Sequence, residues 1–283
     1  MPAVPSAYET IRYEPGRVAR VILNRPDHRN AQSAVLLQEV DQAFAEAVAD
    51  PQVRVIVLSG EGEAFSSGHD LGTAEQKAWQ QEHWRGPTDV EGHYTYSWDH
   101  FVDMSLRWRD LPKPTIAQVH GWCIFGGWLV ASAMDLIVAA DDTRFLTALL
   151  QYFPLPFDVG PRKAKELLFD SREISADEAL EMGFVNKVVA RADLETETMA
   201  LATRIARNNP FFLRMAKLSV NQSQDAAGFR TAIQGAHSHY MLSQLANTEY
   251  AVKLAKERGE KYERPTRMPL VQRIFDDDTG KGG

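Results

Sequence analysis

The chain is almost without cysteine: its 283 residues hold one, Cys123. A single thiol excludes an internal disulfide framework. It lies among large apolar residues with no basic neighbour to lower its pKa, so it reads as buried and inert rather than nucleophilic. No apolar run reaches the ~18 residues of a membrane span. No basic stretch followed by an apolar run opens the sequence, so no secretory signal is read and a cytoplasmic protein is expected. Positive charge is also short, with 31 Lys and Arg against 38 Asp and Glu and a net charge of −7. That balance argues against nucleic acid as the main partner. No metal site is expected. What the chain does have is 44% hydrophobic residues, enough for one large domain or one domain with a helical appendage.

Apolar periodicity and turn residues order the chain. Val18–Leu23, residues 53–58, Thr115–Val119, Leu136–Ala140, 144–147 and 185–189 read as strands. Ser33 caps a helix running to about residue 49, with Leu36, Leu37, Val40 and Phe44 on one face. Residues 94–109 read as a helix ended by Pro112 and Pro114. Residues 126–134 and 162–169 also read as helices, and Ser175-Ala-Asp-Glu178 has the form of a capping box. From Asp193 the pattern is helical with a break near Pro210. Residues 72–92 are polar, hold Trp79 and Trp84, and resist assignment. Residues 276–283 are charged, glycine-rich and read as a frayed tail. Strands and helices alternate, so the class is α/β.

Two strand-to-loop junctions carry chemistry. In Ala117-Gln-Val-His-Gly-Trp-Cys-Ile-Phe-Gly-Gly-Trp, a strand leads through Gly126-Gly127 into a helix of small residues. The first amides of a helix lack intrahelical acceptors and carry the positive end of its dipole. In Ser59-Gly-Glu-Gly-Glu-Ala-Phe-Ser-Ser-Gly-His-Asp, a buried strand empties into a loop tipped by Gly68-His69-Asp70. Two backbone amides converging on one oxygen are what an enolate or a tetrahedral oxyanion needs. The plain alternative for each is a packing device and a structural loop.

These two segments resemble the crotonase (enoyl-CoA hydratase/isomerase) superfamily. So do Ile22-Leu-Asn-Arg-Pro-Asp-His-Arg-Asn-Ala31 and Ile174-Ser-Ala-Asp-Glu-Ala-Leu-Glu-Met-Gly-Phe-Val-Asn-Lys-Val-Val189. The four motifs occur in the family's order, and the resemblance covers roughly residues 8–258, nearly the whole chain. The resemblance implies an α/β fold built as a spiral of repeated ββα units with a C-terminal helical region. Its expected divisions are a core over residues 1–200, helices over 201–265 and a tail over 266–283. It implies an acyl-CoA substrate or ligand, no permanently bound cofactor, and a homotrimer or a hexamer made of two trimers. The backbone N–H groups of His69 and Gly126 would form the oxyanion hole. Arg25, Arg29, Ala31 and Ser67 would meet the CoA moiety, although Arg25, His28 and Arg29 also read as a solvated basic loop.

The chain departs from the family where proton transfer is expected. Leu129 and Leu149 occupy the positions where hydratases of the family carry their two glutamates, and leucine transfers no proton. Phe125 replaces the first residue of a glycine triplet. After Leu155-Pro156, Phe157-Asp158 joins directly to Val159-Gly160, a deletion that reshapes the pocket wall. Tyr152 and Asp158 are candidate replacement acids or bases. The His69 ring either takes part in catalysis or leaves that to its amide. Asp70 is expected to tie the loop together, and Asp135 to serve as a structural hydrogen-bond partner. Tyr94, Trp98 and His100 either line an acyl pocket or belong to the core. Three functions stay open: an acyl-CoA enzyme with unusual acid/base groups, a decarboxylase or hydrolase on the same scaffold, or a non-catalytic acyl-CoA binder.

Overall fold

The computed structural model describes residues 8–83, 89–147 and 150–261. In chain order these form β1 (Ile11–Glu14), β2 (Val18–Leu23), α1 (Ala34–Ala49), β3 (Val55–Gly60), α2 (Ala74–His83) and α3 (Val90–Ser97). A π-helical stretch, Trp98–Asp103, leads into α4 (Met104–Arg109), β4 (Thr115–Val119), β5 (Trp122–Ile124), α5 (Gly126–Ser132), β6 (Leu136–Ala140) and β7 (Arg144–Leu146). Then come α6 (Leu155–Asp158), α7 (Pro161–Asp170), β8 (Ile174–Ser175), α8 (Ala176–Glu181), β9 (Lys187–Val189), α9 (Leu194–Ala206), α10 (Pro210–Ala226) and α11 (Phe229–Glu257).

Six strands make one sheet in the order β1-β2-β3-β4-β6-β9, parallel apart from the β1/β2 hairpin. A second sheet holds β5-β7-β8. Each turn of the chain lays one strand in the first sheet, then a short strand in the second, then a helix, as in β4-β5-α5. A single bridge from Ser66 to Cys123 extends the second sheet toward the loop after β3. This is the spiral of ββα units.

Both faces of the large sheet are covered, so its central strands are apolar throughout. Alternate residues point to opposite faces. Ile56, Leu58, Ala117, Val119, Ile137 and Ala139 face the main core with α1, while Val55, Val57, Ile116, Val138 and Ala140 pack on Leu194, Ala202 and Ala206 of α9. α9 therefore crosses residue 200 while covering the sheet.

Local signals set several helix ends. Ser33 Oγ accepts the Leu36 amide at 3.2 Å and opens α1. Ser175 Oγ accepts the Glu178 amide at 3.2 Å, but the Glu178 carboxylate turns to Arg172 instead of closing a capping box. Asn209 caps α10 ahead of Pro210. The expected 94–109 helix is interrupted by the π-helical stretch, and β3 begins two residues later than its apolar run suggests. Leu149, Trp84 and residues 266–283 lie outside the described residues.

Candidate active site

The loop after β3 is pinned from two sides. Gln32 N donates to Gly68 O at 2.8 Å, and Asp70 N donates to Gln32 O at 3.0 Å. On the other side Ile124 N donates to Ser66 O at 3.1 Å. Gly68, at φ 89°, lies so close to α5 that a Cβ on it would stand 2.9 Å from Gly126 N. The amides flanking His69 are thus used inside the loop, whereas among the described residues the His69 amide has no backbone acceptor. Gly126 is the first residue of α5, so its amide has no intrahelical acceptor either.

Phe125, just before Gly126, takes φ 50° and ψ −112°. A non-glycine residue pays roughly 1–3 kcal/mol for such a conformation unless its surroundings hold it there. Here the ring is buried and the Phe125 amide donates to Leu146 O at 2.9 Å. The backbone keeps the form of a glycine although the glycine is gone.

Asp70 and Arg25 brace the loop from within. Asp70 accepts the Gly72 and Thr73 amides at 3.1 and 2.9 Å, the Thr73 hydroxyl at 2.7 Å and Arg25 at 3.0 Å. Burial alone would raise its carboxyl, but these hydrogen bonds hold it below the usual range. Arg25 also donates to Ala31 O and to Glu75, and its side chain is only 6% exposed. Arg25, expected at the CoA moiety, has its guanidinium paired with the carboxylates of Asp70 and Glu75 inside the loop. Arg29, at φ 49°, accepts the Ser67 amide on its carbonyl at 2.9 Å, so Arg29, Ala31 and Ser67 lie along one turn at the loop's edge.

The His69 ring lies over the start of α5. A Cβ on Gly126 would meet Gln32 Oε1 and would stand 2.7 Å from His69 Nδ1. Nδ1 is 3.2 Å from Gln32 Oε1, and Nε2 is 2.6 Å from Gln151 Oε1. Gln151 Nε2 donates to Ser97 Oγ at 3.0 Å, and His237 Nε2 is 3.1 Å from the same oxygen. Phe101 covers one ring face of His69 at 3.8 Å between centroids. Burial lowers the His69 pKa to about 4, with the Gln151 hydrogen bond opposing, so the ring is neutral near pH 7.

A pocket opens beside Gly126 and His69. Leu37, Phe101, Trp108, Leu129 and Val130 give it apolar walls, with His100 and Ser105 among them. Among the described residues that line it, none is a carboxylate. His100 stacks on Tyr96 at 4.1 Å and its Nδ1 bonds Tyr96 O at 3.0 Å. Tyr94 and Trp98, by contrast, pack on His237, at 4.5 and 5.4 Å between centroids.

Tyr152 and Asp158 do not line this pocket. They neighbour one another in the interior near Arg109 and Phe229. Burial pushes the Asp158 carboxyl up to about 7, with Arg109 opposing, and burial and then Asp158 raise the Tyr152 hydroxyl. Neither the Tyr152 hydroxyl nor Asp158 Oδ2 has a hydrogen-bond partner among the described residues. Asp135 accepts the Thr115 amide at 2.8 Å and pairs with Lys217, a structural role. Cys123 is buried and its thiol is pushed up by that burial. Sequence reasoning missed Gln32, Ser97, Gln151 and His237. The last three join segments 54 to 140 residues apart, and no local spacing marks them.

Comparison with known proteins agrees with this architecture. The sequence model described as enoyl-CoA hydratase/isomerase matches residues 14–263. EchA13 of Mycobacterium tuberculosis, which carries an enoyl-CoA hydratase name, is 40% identical over 260 residues, covering 84% of this chain and 82% of its own. The crystal structure of a probable enoyl-CoA hydratase from Mycobacterium thermoresistibile superposes with a TM-score of 0.77 at 39% identity, covering 85% of this chain and 99% of that one. An enoyl-CoA hydratase/isomerase from Xanthobacter autotrophicus superposes with a TM-score of 0.76 at 31% identity, covering 89% and 95%. With its ββα spiral and its matched length, the chain belongs to the enoyl-CoA hydratase/isomerase family.

Proposed function

We propose that this protein acts on a CoA thioester, holding the thioester oxygen between the amides of His69 and Gly126. The observation that carries the reading is their placement. Two loops in contact present two amides left over by the backbone, on residues that line an apolar pocket. Such donors stabilise the charge that builds on an enolate or a tetrahedral intermediate. The acyl group would lie along Leu37, Phe101, Trp108 and Leu129, and the CoA moiety along the Arg29, Ala31 and Ser67 turn. With leucine at 129 and 149, proton transfer falls to the His69 ring, whose Nδ1 edge lies over Gly126. The reading goes with a cytoplasmic protein and with assembly into trimers or hexamers.

The same ring supports a second reaction. Decarboxylation of a malonyl-type thioester makes the enolate without removing a Cα proton, so it needs only the two amides and a later proton donor. Hydrolysis and acyl-CoA binding without turnover are the remaining outcomes.

The test is calorimetry with CoA and a panel of acyl-CoAs, followed by turnover assays. Micromolar binding, near −8 kcal/mol, is expected. Crotonyl-CoA hydration should fall orders of magnitude below the ~10 s⁻¹ of an ordinary enzyme, because general acid/base groups contribute typically 10²–10⁴-fold. No binding to any acyl-CoA at millimolar concentration would overturn the proposal. Hydration at ordinary speed would show either that Leu129 and Leu149 do not stand in the acid/base positions or that the His69 ring replaces both glutamates in full.

A further inference from the structure

We infer that Gln151, held by Ser97 and His237, is a positioning residue that keeps the His69 proton on Nε2 and so turns Nδ1 to the pocket as a proton acceptor. The consequence for turnover rests on the proposed function, whereas the placement of the proton does not.

The chain of contacts runs from α11 to the pocket. His237, Ser97 and Gln151 are 0%, 6% and 3% exposed, so little water competes for their hydrogen bonds. In such surroundings polar groups are expected to find partners. Gln151 uses both ends of its amide: the NH₂ end donates to Ser97 Oγ and the carbonyl oxygen meets His69 Nε2. Both ring nitrogens face a carbonyl oxygen, at 2.6 Å for Nε2 and 3.2 Å for Nδ1, and the shorter contact takes the hydrogen. A neutral imidazole has one N–H, so Nδ1 is left with its lone pair, beside Gly126. Phe101 prevents the ring from tilting away on one face.

Gln32 completes the device. Its Oε1 lies 3.2 Å from Nδ1. That oxygen gains a hydrogen bond only when Nδ1 takes a proton. If Nδ1 removes a Cα proton from a bound thioester, the C–H electron pair passes into the enolate, whose oxygen the two amides hold. The new Nδ1–H then faces Gln32 Oε1 while Nε2–H stays on Gln151. Two carbonyl oxygens thus hold the imidazolium, which returns the proton in the reverse step. Burial disfavours that cation in the empty site, and the negative enolate beside it offsets the penalty. Among the described residues no charged group shifts the ring: only burial and Gln151 act on it. His100, which shares the pocket, is itself pushed toward neutrality, chiefly by burial.

The test is proton-detected nitrogen-15 NMR of the imidazoles in the unliganded full-length protein, assigned with His69→Ala and His237→Ala. His69 should be the Nε2–H tautomer. Gln151→Leu removes the acceptor, and the ring should pass to the Nδ1–H form, which donates to Gln32. Gln151→Glu keeps an acceptor and should restore Nε2–H. Ser97→Ala should give a mixture of the two forms. Unchanged thermal melting in these variants separates a local effect from misfolding. For Gln151→Leu, kcat should drop at least 10-fold on any substrate the protein turns over, with KM little changed. A wild-type Nδ1–H tautomer, or a tautomer that Gln151→Leu leaves unmoved, overturns the inference. A tautomer shift in a protein that binds no acyl-CoA would sustain the inference and sink the proposed function instead.

Discussion

At Gly126 a side chain has no room: a Cβ would run into Gln32 Oε1 and the His69 ring. Gly126→Val should therefore displace the ring and block the thioester together, removing both acyl-CoA binding and turnover while circular dichroism stays native. Loss of one oxyanion donor alone costs about 2.7–4 kcal/mol in the transition state. His69→Ala keeps its amide and should keep binding but lose 10²–10⁴-fold in turnover, the usual share of a general acid/base. If His69→Ala turns over normally, the ring has no chemical role. Asp158 offers a test by pH. Its carboxyl is held near 7 when folded against a usual 3.8. Between those values the folded chain keeps a proton that the unfolded chain has released, so stability falls as pH rises from about 4 to about 7 and then levels. The penalty approaches about 4 kcal/mol at most. Asp158→Asn should raise the melting temperature at pH 8 and change it little at pH 4. Equal shifts at both values would mean that Asp158 ionises normally. Residue type alone does not show how the Arg25 side chain is held, because its partner Asp70 lies 45 positions away and nothing local announces the pair.

Strands and helices were legible where a face of regular period meets the core. α1 was readable from Ser33 and the apolar positions Leu36, Leu37, Val40 and Phe44, all of which are buried. β4 and β6 were readable because both of their faces are covered. β3 was displaced by two residues for a physical reason. Val53 is buried, yet its amide turns back to Asp50 O, so the apolar run begins before sheet pairing does. α2 was not readable, since Gln76 is its one buried residue. β5 and β8, of three and two residues, are too short to show a period. The π-helical stretch follows from packing and not from any change in composition. It matters to the site because it carries His100 and Phe101 into the pocket directly after Ser97. The two glycine-bearing loops were legible as motifs, while the side-chain network behind His69 was not. Backbone chemistry at a Gly-Gly helix start is local, but a buried network is assembled from distant segments by the fold itself.

The C-terminal helices bear on how copies of the chain assemble. α10 has 17 residues and none is buried. Its Phe211, Phe212, Leu218 and Val220 are 67%, 64%, 44% and 61% exposed. On α11, Leu242 and Tyr250 are each 64% exposed. The helix is nonetheless fixed in place: Lys217 pairs with Asp135 at 2.8 Å and Arg109 donates to Asn221 O at 2.9 Å. A helix held so firmly, with so much apolar surface in water, is expected to be covered. We propose that further copies of the same chain are the cover, in the trimer or hexamer that the family resemblance implies. Light scattering coupled to size exclusion should give about three or six times the 31.8 kDa of one chain. Replacing Phe211 and Phe212 together with serine should lower that mass toward a single chain. The α/β core should stay folded, because these two side chains contribute nothing to its buried clusters. A wild-type protein that runs as one chain at micromolar concentration would overturn the assembly. An unchanged mass in the double variant would move the contact away from the start of α10, to the exposed face of α11.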